Sequence, residues 1–447
     1  MAATPPVPAA SPAPAPRVVI LGAGFGGLTL ARHLKGAPVQ ALLVDRNNYQ
    51  LFSPLLYQVA SAMLDPSDVA QPVRRLIRGV RNCDFMQAEV EGVDLEGKRV
   101  VTNRGPVGYD TLVVATGSAT NYFGNQTLRD RSYPLKVLED GLALRNRILT
   151  QFEQAEWEAD PDVRRRLLSI VVVGGGPTGI EFAGAVSELM NLMVHKDFRR
   201  LHRGEITVQL MEGSDRLLSE FDPKLSWKAF DALTRKGIQV RLNALAERVE
   251  EGQVVLRGGE VVTAGTVVWT TGVRGVIVDG DLPTNQRGSN RIPIDGSLQV
   301  EGHPEVYVIG DVAGHQDDLP MLIPVAMQQA EYVAAAIRGG GPKAPFRYRD
   351  PGIMATIGRG AAVAQLGRIR FSGFVGWVMW LLVHLLKVMT FRARFFVLMK
   401  WAYEYVFTDR PIRIAVRAGT GPKDAPADQV LRLTEHAPIE AVPNRVP

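Results

Sequence analysis

Two glycine-rich stretches decide the fold: Gly22-Ala23-Gly24-Phe25-Gly26-Gly27 and, about 150 residues later, Gly174-Gly175-Gly176-Pro177-Thr178-Gly179. Both have the spacing G-x-G-x-x-G, and both directly follow a run of β-branched residues. In this pattern the first glycine permits a tight turn from strand to helix, the second lets the backbone approach a pyrophosphate, and the third lets helix and strand pack closely. Either stretch alone could be a plain glycine turn. Two in matching contexts predict two dinucleotide sites in one chain, each with phosphates at a helix N-terminus.

Each glycine stretch is followed by a strand that ends on a carboxylate. The strand Val39–Val44 leads to Asp45, and the strand Ile206–Met211 leads to Glu212. Dinucleotide-binding folds place an acidic residue about 20 residues after the glycines, where its carboxylate accepts the ribose hydroxyls. Asp45 fits this offset, whereas a long basic loop makes the offset to Glu212 larger. We predict a ribose contact for both residues; for Asp45 the alternative is a solvated acid at the end of a strand.

Three later strands also end in motifs that suit a nucleotide site, and two of these motifs match each other. Val113-Val114-Ala115-Thr116-Gly117 and Val267-Val268-Trp269-Thr270-Thr271-Gly272 both end in a small-residue turn that lets the backbone pass close to a nucleotide. The strand Val306–Ile309 ends in Gly310-Asp311, whose carboxylate can reach a ribose or ribitol hydroxyl, although a simple turn would also explain it. The order of these motifs predicts an α/β fold of two Rossmann-like dinucleotide-binding domains, the second inserted into the first.

Composition limits the chemistry available to this chain of 447 residues. Cys83 is its single cysteine, which excludes an intramolecular disulfide and a Cys-x-x-Cys redox pair. The sequence shows no metal-binding pattern. Between Pro351 and Tyr403 there are seven Lys and Arg residues and no Asp or Glu. Because this basic stretch is rich in Phe, Trp, Leu and Met, it favours contact with anionic lipid over contact with nucleic acid.

The C-terminal part of this basic stretch predicts a pair of helices. Phe371–Leu386 is sixteen residues long and contains no charged residue, which is short of the roughly 20 residues that span a bilayer. We predict that the two helices lie in the membrane interface, with a buried hairpin or a dimer interface as the alternatives. The apolar residues that share one face of the second helix are Phe391, Phe395, Leu398, Met399, Ala402 and Val406.

Three motifs resemble those of type II, single-subunit NADH:quinone oxidoreductases, which belong to the flavoproteins with two dinucleotide-binding domains. The segment Leu51-Phe52-Ser53-Pro54-Leu55-Leu56-Tyr57-Gln58-Val59-Ala60 is similar to the family pattern L-F-x-P-L-L-Y-Q-V-A. Gly174–Glu181 resembles the family's G-G-G-x-T-G-x-E. The residues that resemble the family's membrane-anchoring region are Trp377, His384, Arg392, Arg394 and Trp401.

The resemblance implies a non-covalent FAD in the first site and NADH in the second. It implies an FAD site made of Gly22, Gly24, Phe25, Gly26, Gly27, Asp45, Arg46, Pro54, Leu55, Tyr57, Gln58, Val90, Ala115, Thr116, Gly117, Asp311 and Met327. It implies an NADH site made of Gly174, Gly176, Thr178, Gly179, Glu181, Glu212, Thr271 and Gly272. Two alternatives stay open: Glu181 is a helix-dipole partner, and Pro54–Gln58 is a hydrophobic loop that fills the base of its domain.

The quinone region departs from the family pattern. The family shows A-Q-x-A-x-Q, and the aligned residues here are Ile323-Pro324-Val325-Ala326-Met327-Gln328. The first alanine and the first glutamine of the pattern are therefore replaced. The resemblance then leaves the quinone contact to Gln328 or to the backbone. Together with Glu181 of the second glycine stretch, Gln328 is a predicted catalytic residue.

The sequence thus predicts a peripheral flavoenzyme on the cytoplasmic face of the inner (cell) membrane. It would oxidise NADH by hydride transfer to flavin N5 and reduce a membrane quinone without pumping protons. A homodimer is left open. The alternatives are a soluble NADH-dependent reductase of ferredoxin or another small acceptor, and a redox-sensing interaction protein. The predicted division is a disordered leader (1–16), an FAD-binding domain (17–150 and 290–350), an NAD(H)-binding domain (151–289), a membrane-association region (351–417) and a mobile tail (418–447).

Overall fold

The computed structural model describes residues 15–284, 289–342, 344–410 and 412–415. Residues 1–14 of the predicted leader and all of the predicted tail, 418–447, lie outside the described residues.

The chain starts with a βαβ unit around the first glycine stretch. The apolar run Val18–Leu21 is buried on both faces, as expected for a central strand of a parallel sheet. The elements up to residue 120 are β1 (Arg17–Leu21), α1 (Phe25–His33), β2 (Gln40–Asp45), β3 (Tyr49–Leu51), α2 (Leu56–Ala60), α3 (Pro66–Val69), β4 (Ala70–Pro72), α4 (Val73–Leu76), β5 (Cys83–Gln87), β6 (Val90–Asp94), β7 (Arg99–Thr102), β8 (Gly105–Gly108), β9 (Thr111–Val114) and β10 (Ser118–Thr120).

The second unit repeats the plan around the second glycine stretch. Its elements are α5 (Gln126–Arg131), β11 (Tyr133–Pro134), α6 (Leu138–Trp157), α7 (Pro161–Leu167), β12 (Ser169–Val173), α8 (Pro177–Lys196), β13 (Thr207–Met211), α9 (Pro223–Arg235), β14 (Gln239–Arg241), β15 (Ala246–Glu250), β16 (Gln253–Leu256), β17 (Val261–Thr263), β18 (Thr266–Trp269) and β19 (Val273–Gly275). Five of these strands form a parallel sheet in the order β11-β18-β12-β13-β14. Strand β10 of the first unit pairs antiparallel with β19, so a two-stranded ribbon joins the two units.

The chain then returns and completes the first sheet. The returning elements are β20 (Ile292–Pro293), β21 (Gln299–Val300), β22 (His303–Val308), β23 (Ala313–Gly314) and α10 (Ile323–Gly339). The completed sheet has the order β21-β22-β9-β1-β2-β5, in which β21 alone is antiparallel to its neighbour. The two-domain α/β fold predicted from the glycine stretches is therefore confirmed.

Strand pairing and core packing do not change domain at the predicted boundary residues. Strand β11 already belongs to the second sheet, although the sequence places the boundary at residue 150. On the return, Val278 and Leu282 already belong to the hydrophobic core of the first domain, ahead of the predicted residue 290.

The C-terminal region is a small antiparallel sheet followed by two helices. Its elements are β24 (Ile353–Thr356), β25 (Ala362–Leu366), β26 (Ile369–Ser372), α11 (Gly373–Lys387) and α12 (Phe391–Phe407). One side of the helix pair packs into the second domain's core through residues such as Trp380, Val397 and Trp401. Among the described residues, no helix is both long enough and apolar enough to cross a membrane.

Candidate functional site

The first glycine stretch forms a cradle at the end of β1. Gly22 has a φ of +101°, and a Cβ there would lie 2.3 Å from the carbonyl oxygen of Ala115. A Cβ on Gly27 would lie 1.9 Å from the carbonyl oxygen of Gly22, so only glycine lets α1 begin this close to the strand. A Cβ on Gly24 would meet no heavy atom within 4 Å beyond its chain neighbours. The second glycine therefore borders open space, which suits a close-lying pyrophosphate.

The second glycine stretch has the same geometry at the end of β12. Gly174 has a φ of +116°, and a Cβ there would lie 2.8 Å from Oγ1 of Thr270 and 3.1 Å from Cβ of Thr271. A Cβ on Gly179 would lie 1.9 Å from the carbonyl oxygen of Gly174. Gly176, like Gly24, borders open space. No side chain caps the helix that either glycine begins, so backbone N–H groups at both helix starts are left to bind an anion.

Asp45 lies beside the first cradle, where its carboxylate accepts two backbone hydrogen bonds. The N–H of Ala23 donates to Oδ2 and the N–H of Asn47 donates to Oδ1, each over 2.7 Å. Burial raises the pKa of Asp45, and these two hydrogen bonds oppose the rise. The adjoining Arg46 is exposed, and its carbonyl accepts a hydrogen bond from Gln87 at the end of β5. Val90 is half-buried and begins β6, three residues further on.

Glu212 holds the equivalent place beside the second cradle. The N–H of Gly175 donates to its Oε2 over 2.6 Å, and the N–H and hydroxyl of Ser214 both donate to its Oε1 over 2.8 Å. In both domains the acid thus binds the residue after the first glycine and the residue two positions after itself. Thr178 lies exposed on the first turn of α8, and Thr271 and Gly272 follow β18 on the other side of the cradle.

Asp311 joins the first cradle from the returning part of the chain. Its carboxylate accepts a hydrogen bond from the hydroxyl of Ser118 and lies 3.7 Å from Nζ of Lys136, which also donates to the Ser118 hydroxyl over 2.7 Å. The preceding Gly310 donates its N–H to Oε1 of the buried Gln329 over 2.7 Å. These contacts bring Asp311 close to Thr116 and Gly117, which directly precede Ser118 in the chain.

The segment Pro54–Gln58 links the first cradle to the C-terminal helices. At its start the ring of Phe52 packs edge-on against Phe25 at 5.9 Å between centroids. Leu55, Tyr57 and Gln58 are buried, whereas Pro54 is half-buried. The amide of Gln58 donates to the hydroxyl of Tyr57 over 2.8 Å and accepts a hydrogen bond from the indole N–H of Trp401 over 2.8 Å. The segment is therefore held by polar contacts as well as by packing.

Glu181 is a buried carboxyl group where α8, β24, α2 and α11 meet. The backbone N–H of Thr356 donates to its Oε1 over 3.3 Å. Burial raises the pKa of Glu181 to about 8, and the neighbouring N–H groups of Thr356 and Trp380 oppose the rise. Trp380 is 1% exposed and packs against the ring of Tyr57 at 6.3 Å. Glu181 is therefore mostly protonated at neutral pH.

His384 stacks on Trp380 one helical turn further along α11. The ring centroids are 4.1 Å apart, and Nδ1 of His384 lies 2.8 Å from the carbonyl oxygen of Trp380. Burial lowers the pKa of His384 to about 4, so the ring is neutral at physiological pH. Glu181 and His384, which both contact Trp380, are thus both mainly uncharged at neutral pH.

Gln328 lies on the first turns of α10, and its amide is already paired with backbone. Its Nε2 donates to the carbonyl oxygen of Arg349 over 2.8 Å, and its Oε1 accepts from the N–H of the same residue over 3.0 Å. If the Gln328 amide contacts a quinone, it must first give up one of these two hydrogen bonds. The catalytic role of Gln328 stays a prediction. Met327 is half-buried on the same helix, one residue after Ala326, which approaches Gly26 and Gly310.

The structure brings most predicted residues into two groups. The two glycine cradles gather the residues around Asp45, Asp311 and Glu212, whereas Tyr57, Gln58 and Glu181 lie together beneath the C-terminal helices. Sequence reasoning missed three residues that contact these groups, namely Ser118, Lys136 and Gln329. Ser118 and Gln329 each lie next to a quoted motif, whereas no sequence signal marked Lys136. Trp380 is a correction: the sequence predicted it among the apolar residues that contact lipid, but it is 1% exposed because it packs beside Glu181 and Tyr57.

Comparisons with known proteins agree with this architecture. Residues 16–330 match the sequence model of the pyridine nucleotide-disulphide oxidoreductases. The type II NADH:quinone oxidoreductase Ndh of Mycobacterium tuberculosis is 36% identical over 427 residues, which cover 90% of this chain and 91% of that protein. The chain belongs to the type II NADH:quinone oxidoreductase family. It is a flavoprotein oxidoreductase, and membership implies that it binds FAD and NAD(H).

Two further proteins resemble this chain, one in sequence and one in fold. The mitochondrial internal alternative NAD(P)H-ubiquinone oxidoreductase A1 of Arabidopsis thaliana is 29% identical and covers 88% of this chain and 84% of its own length. The solved structure of NDH2 from Plasmodium falciparum in complex with NADH superposes with a TM-score of 0.82, covering 89% of this chain and 99% of that one. At 19% identity this second likeness shows the fold alone.

Proposed function

We propose that this member of the type II NADH:quinone oxidoreductase family oxidises NADH and reduces a membrane quinone through a non-covalent FAD, without pumping protons. The observation that carries the proposal is the pair of glycine cradles with closely similar geometry, each open at its second glycine and each flanked by a strand-end carboxylate. Two nucleotides bound on one chain are what a flavoenzyme with a nicotinamide substrate requires. The names of the bacterial relatives supply the acceptor, a quinone.

The residues of each cradle fit a dinucleotide. A Cβ would occupy the space at Gly24 or Gly176 that a pyrophosphate needs, and none of the described residues fills it. Asp45 in the first cradle would hold the adenosine ribose of FAD, and Asp311 would bind a ribitol hydroxyl. Glu212 in the second would hold the adenosine ribose of NADH. When bound, the flavin supplies the redox chemistry, accepting a hydride at N5 and passing two electrons to the quinone.

Glu181 is the residue that we propose for proton supply. Quinone reduction to quinol consumes two protons as well as two electrons, so the enzyme needs a group that is protonated at neutral pH and protected from water. Burial keeps Glu181 in this state, with a pKa of about 8. It lies under Trp380 of α11, so the C-terminal helices that we propose for membrane contact also enclose the acid.

The outer face of these helices is the proposed contact with an anionic lipid surface, at the cytoplasmic face of the inner membrane. The predicted apolar face of α12 is exposed, with Phe391 83% and Val406 68% accessible, and α11 adds Phe374 and Leu382 at 57% and 56%. A contiguous exposed apolar patch of this kind is typical of an interaction surface. Two of the predicted cations pair with acids of the protein instead: Lys400 with Asp65 and Asp68 at the start of α3, and Arg370 with Asp222.

Three single-methyl substitutions test the assignment of the two cradles. Gly24→Ala should lower FAD content after purification, because the methyl group enters the pyrophosphate space, and Gly176→Ala should leave FAD bound but raise the KM for NADH. Gly204 is also free of neighbours within 4 Å, and Gly204→Ala serves as the control. Flavin absorbance per protein and NADH titration measure the two effects. A Gly24→Ala protein with full flavin content would contradict the placement of FAD.

A further inference from the structure

Phe123 is an exposed aromatic residue in a left-handed backbone conformation. Its φ is +52°, and 66% of the residue is accessible. Among the described residues it is the one aromatic side chain with a positive φ, a conformation that is unfavourable for bulky side chains. Residues held in such conformations concentrate at ligand-binding sites, where the surrounding structure compensates for the strain.

The turn around Phe123 is fastened to the loop that follows β18. The N–H of Asn121 donates to the carbonyl oxygen of Gly272 over 3.1 Å, and the indole N–H of Trp269 donates to the carbonyl oxygen of Asn121 over 3.0 Å. Tyr122 stacks on Trp269 at 6.1 Å between centroids, and the side chain of Asn121 accepts the N–H of Phe123 over 2.8 Å. Three hydrogen bonds, one of them between two backbone groups, and one ring stack therefore hold the backbone of this turn in place.

The ring of Phe123 lies directly against Gly272. A Cβ on Gly272 would come within 2.6 Å of Cζ and 2.9 Å of Cε2 of the ring. Gly272 itself has a φ of +73° and is exposed. One face or edge of the ring is thus supported by the backbone after β18, and the remainder is open to solvent.

Sheet order decides which part of NADH would pass this position. In the second sheet β18 lies on one side of β12 and β13 lies on the other. Glu212 after β13 marks the adenosine ribose, and Gly176 after β12 marks the pyrophosphate. A dinucleotide extends across the switch point of such a sheet. The nicotinamide half must therefore lie over the end of β18, beside Gly272.

We propose that Phe123 contacts the nicotinamide ring of NADH and helps to hold it over the end of β18. The inference rests on the proposed function, because it requires NADH in the second cradle. Because the backbone of Phe123 is held and its ring lies against Gly272, the side chain has little conformational freedom to lose on binding, and its exposed surface is covered when the nicotinamide packs on it. Phe123 is thus a binding residue for the nicotinamide half of the substrate.

Titrations with two oxidised ligands test this contact without turnover. NAD⁺ carries the nicotinamide ring and ADP-ribose lacks it, while both fill the adenosine and pyrophosphate positions. In the FAD-loaded protein, Phe123→Ala should raise the Kd for NAD⁺ by about tenfold and leave the Kd for ADP-ribose unchanged. Phe123→Tyr should restore the wild-type Kd. Trp227→Ala is the control, since Trp227 is similarly exposed, at 59%, on α9.

The outcomes separate this inference from the proposed function. If the wild-type protein binds neither NAD⁺ nor ADP-ribose, the second cradle does not hold NADH, and both the proposed function and the nicotinamide contact are contradicted. If the wild-type protein binds both and Phe123→Ala weakens neither, or weakens them equally, only the nicotinamide contact is overturned. Thermal unfolding of each variant checks the fold, and Phe123→Gly gives a second ring-free variant that relieves the positive φ.

Discussion

Glu181 is a carboxyl group whose surroundings favour its neutral form. Its pKa is raised from 4.5 to about 8 by burial, so it holds a proton below pH 8 and loses it above. If this proton goes to the quinone, quinone reduction falls as the pH rises through about 8. Glu181→Gln should slow quinone reduction by roughly 100-fold and remove this pH limb. Steady-state rates over a pH series measure both effects.

A proton-free acceptor provides the control for Glu181. Ferricyanide takes electrons without protons, so at saturating NADH the Glu181→Gln protein should reduce ferricyanide at nearly the wild-type rate. Stability gives an independent check, because between pH 4.5 and about 8 the unfolded chain has lost a proton that the folded protein keeps. The free energy of unfolding of the wild type therefore decreases over this range by more than that of Glu181→Gln. Equal slopes in the two proteins would show that the acid ionises normally.

Residues differ in how far their roles could be predicted from sequence. The glycines and the strand-end acids act through local backbone geometry, so spacing predicted the positions of Gly22 and Asp45 beside the first turn, and the end of a strand predicted that of Glu212. Their nucleotide contacts stay predictions. The environment of Glu181 comes from Thr356 and Trp380, which are about 200 residues away in sequence. No local pattern specifies such a contact. The same holds for Lys136, which reaches Asp311 across the two domains.

At the scale of elements, helices α11 and α12 have one face inside the protein and one outside. The sequence predicted the exposed apolar face of α12, and it also offered a buried hairpin as an alternative. The structure contains both features, because Trp380, Val397 and Trp401 are buried while Phe391 and Phe395 are exposed. Periodicity identifies an apolar face but cannot say what covers it, since lipid and protein core select the same residues.

The exposed face gives a prediction about membrane binding. Phe391→Glu combined with Phe395→Glu should reduce binding to anionic vesicles by more than tenfold, because each change removes a burial worth about 2 kcal/mol and adds a repelled charge. Sedimentation with vesicles measures the effect, and Trp227→Glu is the control. High salt should weaken wild-type binding only in part. If the face instead covers a second copy of the chain, the double variant changes the oligomeric state and leaves vesicle binding unaltered.

The end of α12 is clamped to the second domain by Arg410, which is 2% exposed. Its guanidinium pairs with Glu404 over 2.7 Å and Glu188 over 3.1 Å, and it donates to the carbonyl oxygens of Ser61 and Ala185. Removing it leaves two acids and two carbonyl groups without this partner. A deletion of the whole region would expose the same core, so single substitutions are the better test of anchoring.

Substitution of Arg410 should therefore be costly for stability. We expect Arg410→Met to lower the free energy of unfolding by about 3 kcal/mol or more. The surface pair of Arg235 and Asp231, whose side chains are 69% and 59% exposed, provides the control, and Arg235→Met should cost about 1 kcal/mol or less. Chemical denaturation of both variants measures the difference. Similar losses for the two would mean that the clamp contributes no more than a surface ion pair.

At the scale of the whole molecule, the proposed function gives the two domains and the helix pair one route for electrons. The second cradle would hold the donor and the first would hold the flavin, while the C-terminal helices enclose Glu181 and present an apolar face outward. Family membership and this arrangement support the same activity. A reductase of a soluble acceptor would keep both cradles, so the acceptor is the part of the account that most needs a direct measurement.

Anaerobic flavin absorbance provides that measurement. Purified FAD-loaded protein is mixed with one equivalent of NADH and then with a ubiquinone or menaquinone analogue, while the flavin band near 450 nm is followed. We predict that NADH bleaches the band and that the quinone restores it within the turnover time. A flavin that NADH reduces but that neither quinone reoxidises would contradict the central claim.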